Sequence, residues 1–261
     1  MNFFDIVGPH LKDLTKNEQE LFDFVLKHMD EIKGMSIREV ASLAFVSTAT
    51  FLRFVQKIGF AGYSEFTTVL KFTLLNQGKD KEEIQQAPFA AIKNDYREDY
   101  IKNFVESVRV IQESKMRRVV DKLAESPDVF LFANGVSKHI TEYIYYQYVM
   151  AGFKVHFPRD KDYRRLMEKQ VNNDSLVFIL SYHGDDEEFV AMINKFLRRG
   201  ADPMIVSVTQ ADNNLIQNMS DVNFYMFTDN IKVNEADITS HISMIAVMEL
   251  ILYQYIQQIT E

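Results

Sequence analysis

The sequence predicts an all-α helix-turn-helix domain followed by an α/β three-layer domain built on a parallel sheet. Three observations carry this expectation. Residues 15 to 75 keep apolar side chains at helical spacing, with only Gly34, Gly59 and Gly62 as breaks. From residue 128 onward short apolar runs alternate with amphipathic segments, the pattern of strands buried on both faces and covered by helices. Between the halves, residues 78 to 94 (GKDKEEIQQAPFAAIKN) carry charge, Gln and a Pro but little apolar material, and they read as a linker. The expected divisions are therefore 1–77, 78–94 and 95–261.

In the first part, Thr15 followed three residues later by Glu18 is a capping box, and Leu21, Phe22, Val25 and Met29 then repeat at helical spacing, predicting a helix over 16–31. Ser36 caps a short helix, Ile37 to Leu43, with Ile37, Val40 and Ala41 as its buried stripe. A tight connection through Ala44, Phe45 and Val46 leads to a second N-cap, Ser47, and a helix from Thr48 to Ile58. On that helix Phe51, Phe54, Val55 and Ile58 share one face, leaving Ser47, Thr48, Thr50, Arg53 and Lys57 nearer the other. Two short capped helices about four residues apart fit a helix-turn-helix, whose second helix enters the major groove of double-stranded DNA by its N-terminal end. The row of hydroxyls and cations suits phosphates and base edges, and Arg53 is the first candidate.

In the second part a helical stretch over 95–126 precedes apolar runs at Val129–Ala133, Lys154–Phe157, Leu176–Ser181, Met204–Val208 and Asn223–Met226. Helices are expected between the first four, at Lys138–Ala151, Tyr163–Asn172 and Glu187–Arg199, and a long apolar helix at Ala236–Gln258 ends the chain.

Composition narrows the function. The net charge of −8 argues against nucleic acid if spread evenly, but residues 33–71 hold five Lys/Arg against two Asp/Glu. The acidity sits mostly in the second half. With no cysteine and six scattered His (10, 28, 139, 156, 183 and 241), no metal site and no cofactor are expected. The N-terminus shows no leader pattern, and no run approaches the roughly 18 apolar residues of a membrane helix, so a cytoplasmic protein without membrane contact is expected.

The strings LTKNEQELFDFVL (14–26), SIREVASLAFVSTATFLRF (36–54) and KIGFAGYSEF (57–66) resemble the N-terminal domain of the RpiR family of helix-turn-helix transcriptional regulators. That family couples the motif to a sugar isomerase (SIS) domain, and residues 128–228 are similar to one. The resemblance implies a DNA-facing role for Ser47, Thr48, Thr50, Arg53 and Lys57. It also implies a sugar-derived effector held by hydroxyls and backbone N–H groups at strand ends and helix N-termini. The ligand loops would be FANGVSKH (132–139), with Gly135 and Ser137, and LSYHGDDEEF (180–189), with Ser181, His183, Gly184 and Asp186.

This chain departs from the family pattern in three places. Ala133 stands where the first loop carries Gly, His183 and Asp186 stand where the second carries Ser and Thr, and Ser240-His241 stands where the family often carries Ser-Arg. Four carboxylates, Asp185 to Glu188, crowd one helix start, where a phosphate would meet like charge. Three readings stay open: a ligand-free dimerisation scaffold, a neutral or amine-bearing ligand, or a phosphosugar held by Ser137, Ser181 and a protonated His183. An isomerase-like enzyme is the rival class, with Glu142, His183 and His241 as candidate bases. A homodimer or higher homo-oligomer is expected through the second domain, since Ile242, Ile245, Leu250, Ile251 and Tyr255 make the last helix apolar around much of its circumference.

Overall fold

A computed structural model describes residues 3–77, 94–229, 231–233 and 236–260. The expected linker therefore lies outside the described residues, apart from Asn94. The described chain divides into two units. One comprises residues up to 112 with 211–213 and 228–239; the other comprises 113–210, 214–227 and 240 onward. The division at Gln112/Glu113 differs from the expected boundary at 94/95. The expected helical stretch over 95–126 is in fact two helices, α7 (Asn94–Arg109) and α8 (Glu113–Ala124), and only α8 belongs to the second unit.

The first unit opens with α1 (Phe3–Val7) and a 3-10 turn (Gly8–Asp13). It continues through α2 (Lys16–Lys27), α3 (Met29–Ile32), α4 (Ile37–Leu43), α5 (Thr48–Lys57) and α6 (Tyr63–Gln77). The expected helix over 16–31 is broken at His28, whose φ of −117° and ψ of 22° leave the helical region and start α3 as a separate turn. Aromatic rings fill the core. The Phe3 ring lies 5.8 Å from Phe60 and 6.1 Å from Phe66, and Phe51 lies 6.1 Å from Phe66. Rings at these separations prefer edge-to-face or offset contact, so the cluster fixes angles between helices as well as burying area. A two-stranded antiparallel hairpin, β6 (Lys232–Val233) with β7 (Ala236–Asp237), also belongs to this unit.

The second unit is a five-stranded parallel sheet in the order β2-β1-β3-β4-β5: β2 (Val155–His156), β1 (Val129–Ala133), β3 (Leu176–Leu180), β4 (Met204–Gln210) and β5 (Val222–Met226). Strands β1, β3 and β5 are buried throughout, as unbroken apolar runs require. One face packs against α11 (Glu187–Arg198) and α12 (Leu215–Asn218), where Phe130, Phe132, Val177 and Ile179 meet Phe189, Met192, Phe196 and Ile216. The other face carries α9 (Gly135–Met150), with α8 and α13 (Ile242–Thr260); Tyr148 of α9 sits edge-on to Phe178, 6.1 Å away, and donates to the Met248 carbonyl. These layers, with α10 (Lys161–Gln170) crossing between β2 and β3, are the expected three-layer architecture.

One expectation needs correction. The final helix begins at Ile242 and not Ala236, because Ala236–Asp237 pairs with Lys232–Val233. Helix α13 also has the length and mean hydropathy of a membrane span, a test that the core helix of a soluble protein passes as well. Within the fold, however, its Met244, Val247, Met248, Ile251 and Leu252 are buried, and its Glu249 accepts from Tyr143 and Gln147. That side of the helix is core.

The sheet order positions the site. The chain runs from β1 outward to β2, returns to β3 on the opposite side of β1, and continues outward to β5. The carboxyl ends of β1 and β3 are thus the topological switch point, where crossovers on opposite faces leave a crevice. The loops after these two strands are FANGVSKH and LSYHGDDEEF.

Candidate functional site

In the first unit, α4 and α5 form the expected pair. Ser36 and Glu39 make a reciprocal capping box, Ser36 N–H donating to Glu39 at 2.7 Å, and this holds the Glu39 carboxyl below its ordinary range. Ser47 caps α5 by accepting from Thr50 N–H at 3.1 Å. Tyr63 donates to the Met35 carbonyl at 2.9 Å; burial first, and the Glu39 charge second, push its phenol up to about 12, so it remains a donor.

The five expected DNA-facing residues divide by their partners. Ser47 and Thr50 hydroxyls bond to one another at 2.8 Å, which makes them part of the cap. Lys57 reaches back to α2 and pairs with Glu18 at 2.6 Å, tying the end of α5 to the start of α2. Thr48 and Arg53 are exposed, and their side chains make no hydrogen bond or ion pair among the described residues. Arg38 on α4 and Gln56 on α5 are exposed as well. Sequence reasoning passed over both, because neither stood in the hydroxyl and cation row. An open groove of about 940 Å³ lies between α2 and the α4–α5 turn, lined by Glu18, Glu20 and Phe24 on one side and by Phe45, Thr50 and Arg53 on the other.

In the second unit the two loops at the switch point touch directly. Asn134, which ends the β1 loop and precedes α9, donates from Nδ2 to Asp186 Oδ2 at 2.5 Å. Asp186 is also the N-cap of α11, accepting from Glu188 N–H at 3.0 Å. Asp185 accepts from Leu215 N–H at the start of α12, at 3.2 Å. Gly184 has φ +70°, and its Cα lies so close to Asn214 that an added Cβ would stand 2.1 Å from that side chain. Here glycine is a requirement of both backbone and space.

Two cations face these carboxylates, and neither was legible in sequence. Arg164 of α10 is 8% exposed; it pairs with Glu188, donates to Asn134 Oδ1 at 2.5 Å and lies over the Phe189 ring. Lys161 pairs with the same Glu188 at 2.6 Å. The Lys161 hydrogen bond, with Arg164 behind it, holds the Glu188 carboxyl below the usual glutamate range despite partial burial. Two cations against four carboxylates leave this helix start negative.

The remaining expected ligand residues occupy the same two loops. Gly135 is exposed with φ +55° and opens α9, Ser137 is buried on its first turn, and Ser181 is half-buried at the end of β3. His183 is exposed, its ring 4.7 Å from Tyr182; Tyr182 in turn lies 5.3 Å from the buried His241. Glu142, further along α9, pairs with Arg159 at 3.0 Å, while Lys138 donates to the Arg159 carbonyl.

A capped helix-turn-helix joined in one chain to a doubly wound α/β unit with polar loops at its switch point defines a transcriptional regulator with a sensor-type domain. Comparison with known proteins agrees. The helix-turn-helix domain of the rpiR family matches residues 1–77, and the SIS domain matches residues 122–253. The chain belongs to the RpiR family of helix-turn-helix regulators carrying an SIS domain. Among relatives, the HTH-type transcriptional regulator GlvR of Bacillus subtilis (strain 168) is 22% identical over 86% of this chain and 83% of its own. Among solved structures, the Vibrio vulnificus NanR protein complexed with ManNAc-6P matches with a TM-score of 0.54 at 15% identity, over 98% of this chain and 92% of that one. A putative phosphosugar isomerase involved in capsule formation from Bacteroides fragilis NCTC 9343 has a TM-score of 0.53 at 13% identity, over 63% of this chain and 90% of its own. At these identities the two structural likenesses establish a shared fold.

Proposed function

We propose that this regulator acts in the cytoplasm on genes of sugar or amino-sugar metabolism. In this reading α5 reads double-stranded DNA, and the loops at 134–137 and 181–186 receive an uncharged or amine-bearing sugar derivative. Arg53 and Thr48 make the base or phosphate contacts, Ser47 and Thr50 shape the helix start that presents them, and Lys57 positions α5 through Glu18. The placement of Ser137, Ser181, His183, Gly184 and Asp186 at the switch point of the sheet is the observation that carries the ligand reading. The NanR complex with ManNAc-6P supports an amino-sugar class.

The charge of the loops argues against a phosphate. Asp186 already occupies the N–H group at the start of α11 that an anion would use, and Glu188 engages both nearby cations. The enzyme reading gains nothing from the geometry, since Glu142 is tied to Arg159 and His183 is separated from His241 by Tyr182.

The test is selection of duplexes from a random double-stranded library by the full chain. Fluorescence anisotropy with Arg53→Ala and calorimetry with N-acetylmannosamine, glucosamine and ManNAc-6P then follow. We expect Arg53→Ala to weaken specific binding by about 1–3 kcal/mol, and an unphosphorylated amino sugar to bind in preference to ManNAc-6P. Unchanged affinity in a folded Arg53→Ala variant removes that residue's role, and tight ManNAc-6P binding overturns the charge argument.

A further inference from the structure

The turn between α4 and α5 places at a left-handed helix cap a residue that packing does not explain. Val46 N–H donates to the Ala41 carbonyl at 2.9 Å and Phe45 N–H to the Ser42 carbonyl at 3.1 Å. These two bonds are the Schellman end of a helix, whose left-handed residue is ordinarily glycine. Here that residue is Phe45, with φ +55°. An aromatic side chain is unfavourable in this backbone region, and Phe45 recovers nothing by burial because it is 95% exposed. In the free protein both backbone and solvation favour glycine at this place, so the compensating contact belongs to a complex.

Phe45 stands two residues before the N-cap of α5 and lines the same open groove as Thr50 and Arg53. A helix-turn-helix brings the N-terminal end of its second helix to the base edges of the major groove. There the apolar group that a base pair offers is the 5-methyl of thymine. We infer that Phe45 is a specificity-determining residue that packs its ring against a thymine methyl beside the bases met by α5; this rests on the reading of α5 as the DNA-recognition helix.

The test uses the full chain and a duplex selected by the wild type from a random double-stranded library. Each thymine of that duplex is replaced in turn by uracil, which removes only the methyl. At one position per half-site the change should weaken wild-type binding about fourfold, the worth of one buried methyl. Phe45→Ala should bind the unmodified duplex at least fourfold more weakly and be indifferent to uracil at that position. Phe45→Gly should show the same indifference while unfolding at a higher temperature than the wild type, so that lost discrimination is separated from lost folding. Equal sensitivity to uracil in wild type and Phe45→Ala would overturn the inference. So would undiminished DNA binding by Phe45→Ala together with altered sedimentation, which would assign the ring to a protein contact. A wild-type chain that selects no duplex would instead overturn the DNA-recognition reading and this inference with it.

Discussion

Gly184→Ala tests whether the loop after β3 is held as tightly as its geometry implies. Two costs add. The φ of +70° disfavours alanine by about 1–2 kcal/mol. The new Cβ, 2.1 Å from the Asn214 side chain, forces Asn214 to move. Asn214 is buried, and its side chain accepts from Gln217 N–H at 3.0 Å as the cap of α12 and donates to Thr209 Oγ1 at 3.1 Å. Losing both costs about 2 kcal/mol, for a total of about 3–4 kcal/mol and a fall in Tm of roughly 10 °C in a domain of this size. The assay is calorimetric unfolding of Gly184→Ala, Asn214→Ala and the double variant. Because the bonds of Asn214 are lost in either single variant, the double should be about 2 kcal/mol more stable than the sum of the two. Strict additivity, or a Gly184→Ala cost below about 1 kcal/mol, would refute the close approach.

Three further outcomes are expected. Lys57→Met should lower stability by no more than about 1 kcal/mol, since the pair with Glu18 is partly exposed, and it should weaken binding to matched and mismatched duplexes alike; loss confined to one base position would make Lys57 a reader. Glu188→Gln should lower stability at neutral pH. Glu188's carboxyl titrates below the ordinary value of 4.5 in the folded state, so its contribution is complete above that value and is lost as pH falls through the folded pKa. Acid unfolding curves for wild type and Glu188→Gln should therefore converge on acidification, and a difference that persists in acid would assign the effect to packing. Sedimentation should show at least a dimer at micromolar concentration, because Tyr146 and Met150 on α9 and Tyr253, Ile256 and Ile259 on α13 are exposed apolar side chains; a monomer would contradict this.

Local signals carried most of the fold. The capping box at Thr15, the N-cap at Ser36 and the apolar runs of β1 and β3 were legible because one stretch of chain suffices to produce them. The break at His28 was hidden, since Met29 continues the apolar spacing of α2 across it. The start of α13 was misplaced because Ala236 and Asp237 are recruited as a strand by Val233 and Lys232, three and five positions earlier. At the candidate sites the same division holds. The loop residues from Gly135 to Asp186 could be read from their place after strands, whereas Lys57 looked free because Glu18 lies 39 residues away. Arg164 gave no signal at all: its partners Asn134 and Glu188 lie 30 and 24 residues distant, on separate elements.

Those long-range cations change how the acidic loop should be understood. Taken alone, Asp185 to Glu188 look like a barrier to any anion, but three of them have fixed partners: Asp185 at α12, Asp186 at Asn134 and its own helix, and Glu188 at Lys161 and Arg164. The positive potential that a phosphate would need is therefore present at the switch point and already engaged by Glu188. An entering phosphate would have to displace a carboxylate from two cations, and unit charges about 4 Å apart interact by about 4 kcal/mol at an effective dielectric of 20. Its own attraction to Lys161 and Arg164 is offset by the bonds it breaks, and the displaced Glu188 then repels it. A neutral hydroxyl or an amine incurs no such exchange; it can accept from or donate to the existing network without separating a pair. In the proposed reading, discrimination between phosphorylated and unphosphorylated sugars would rest on the occupancy of Arg164 and Lys161 more than on the number of acidic residues on the loop.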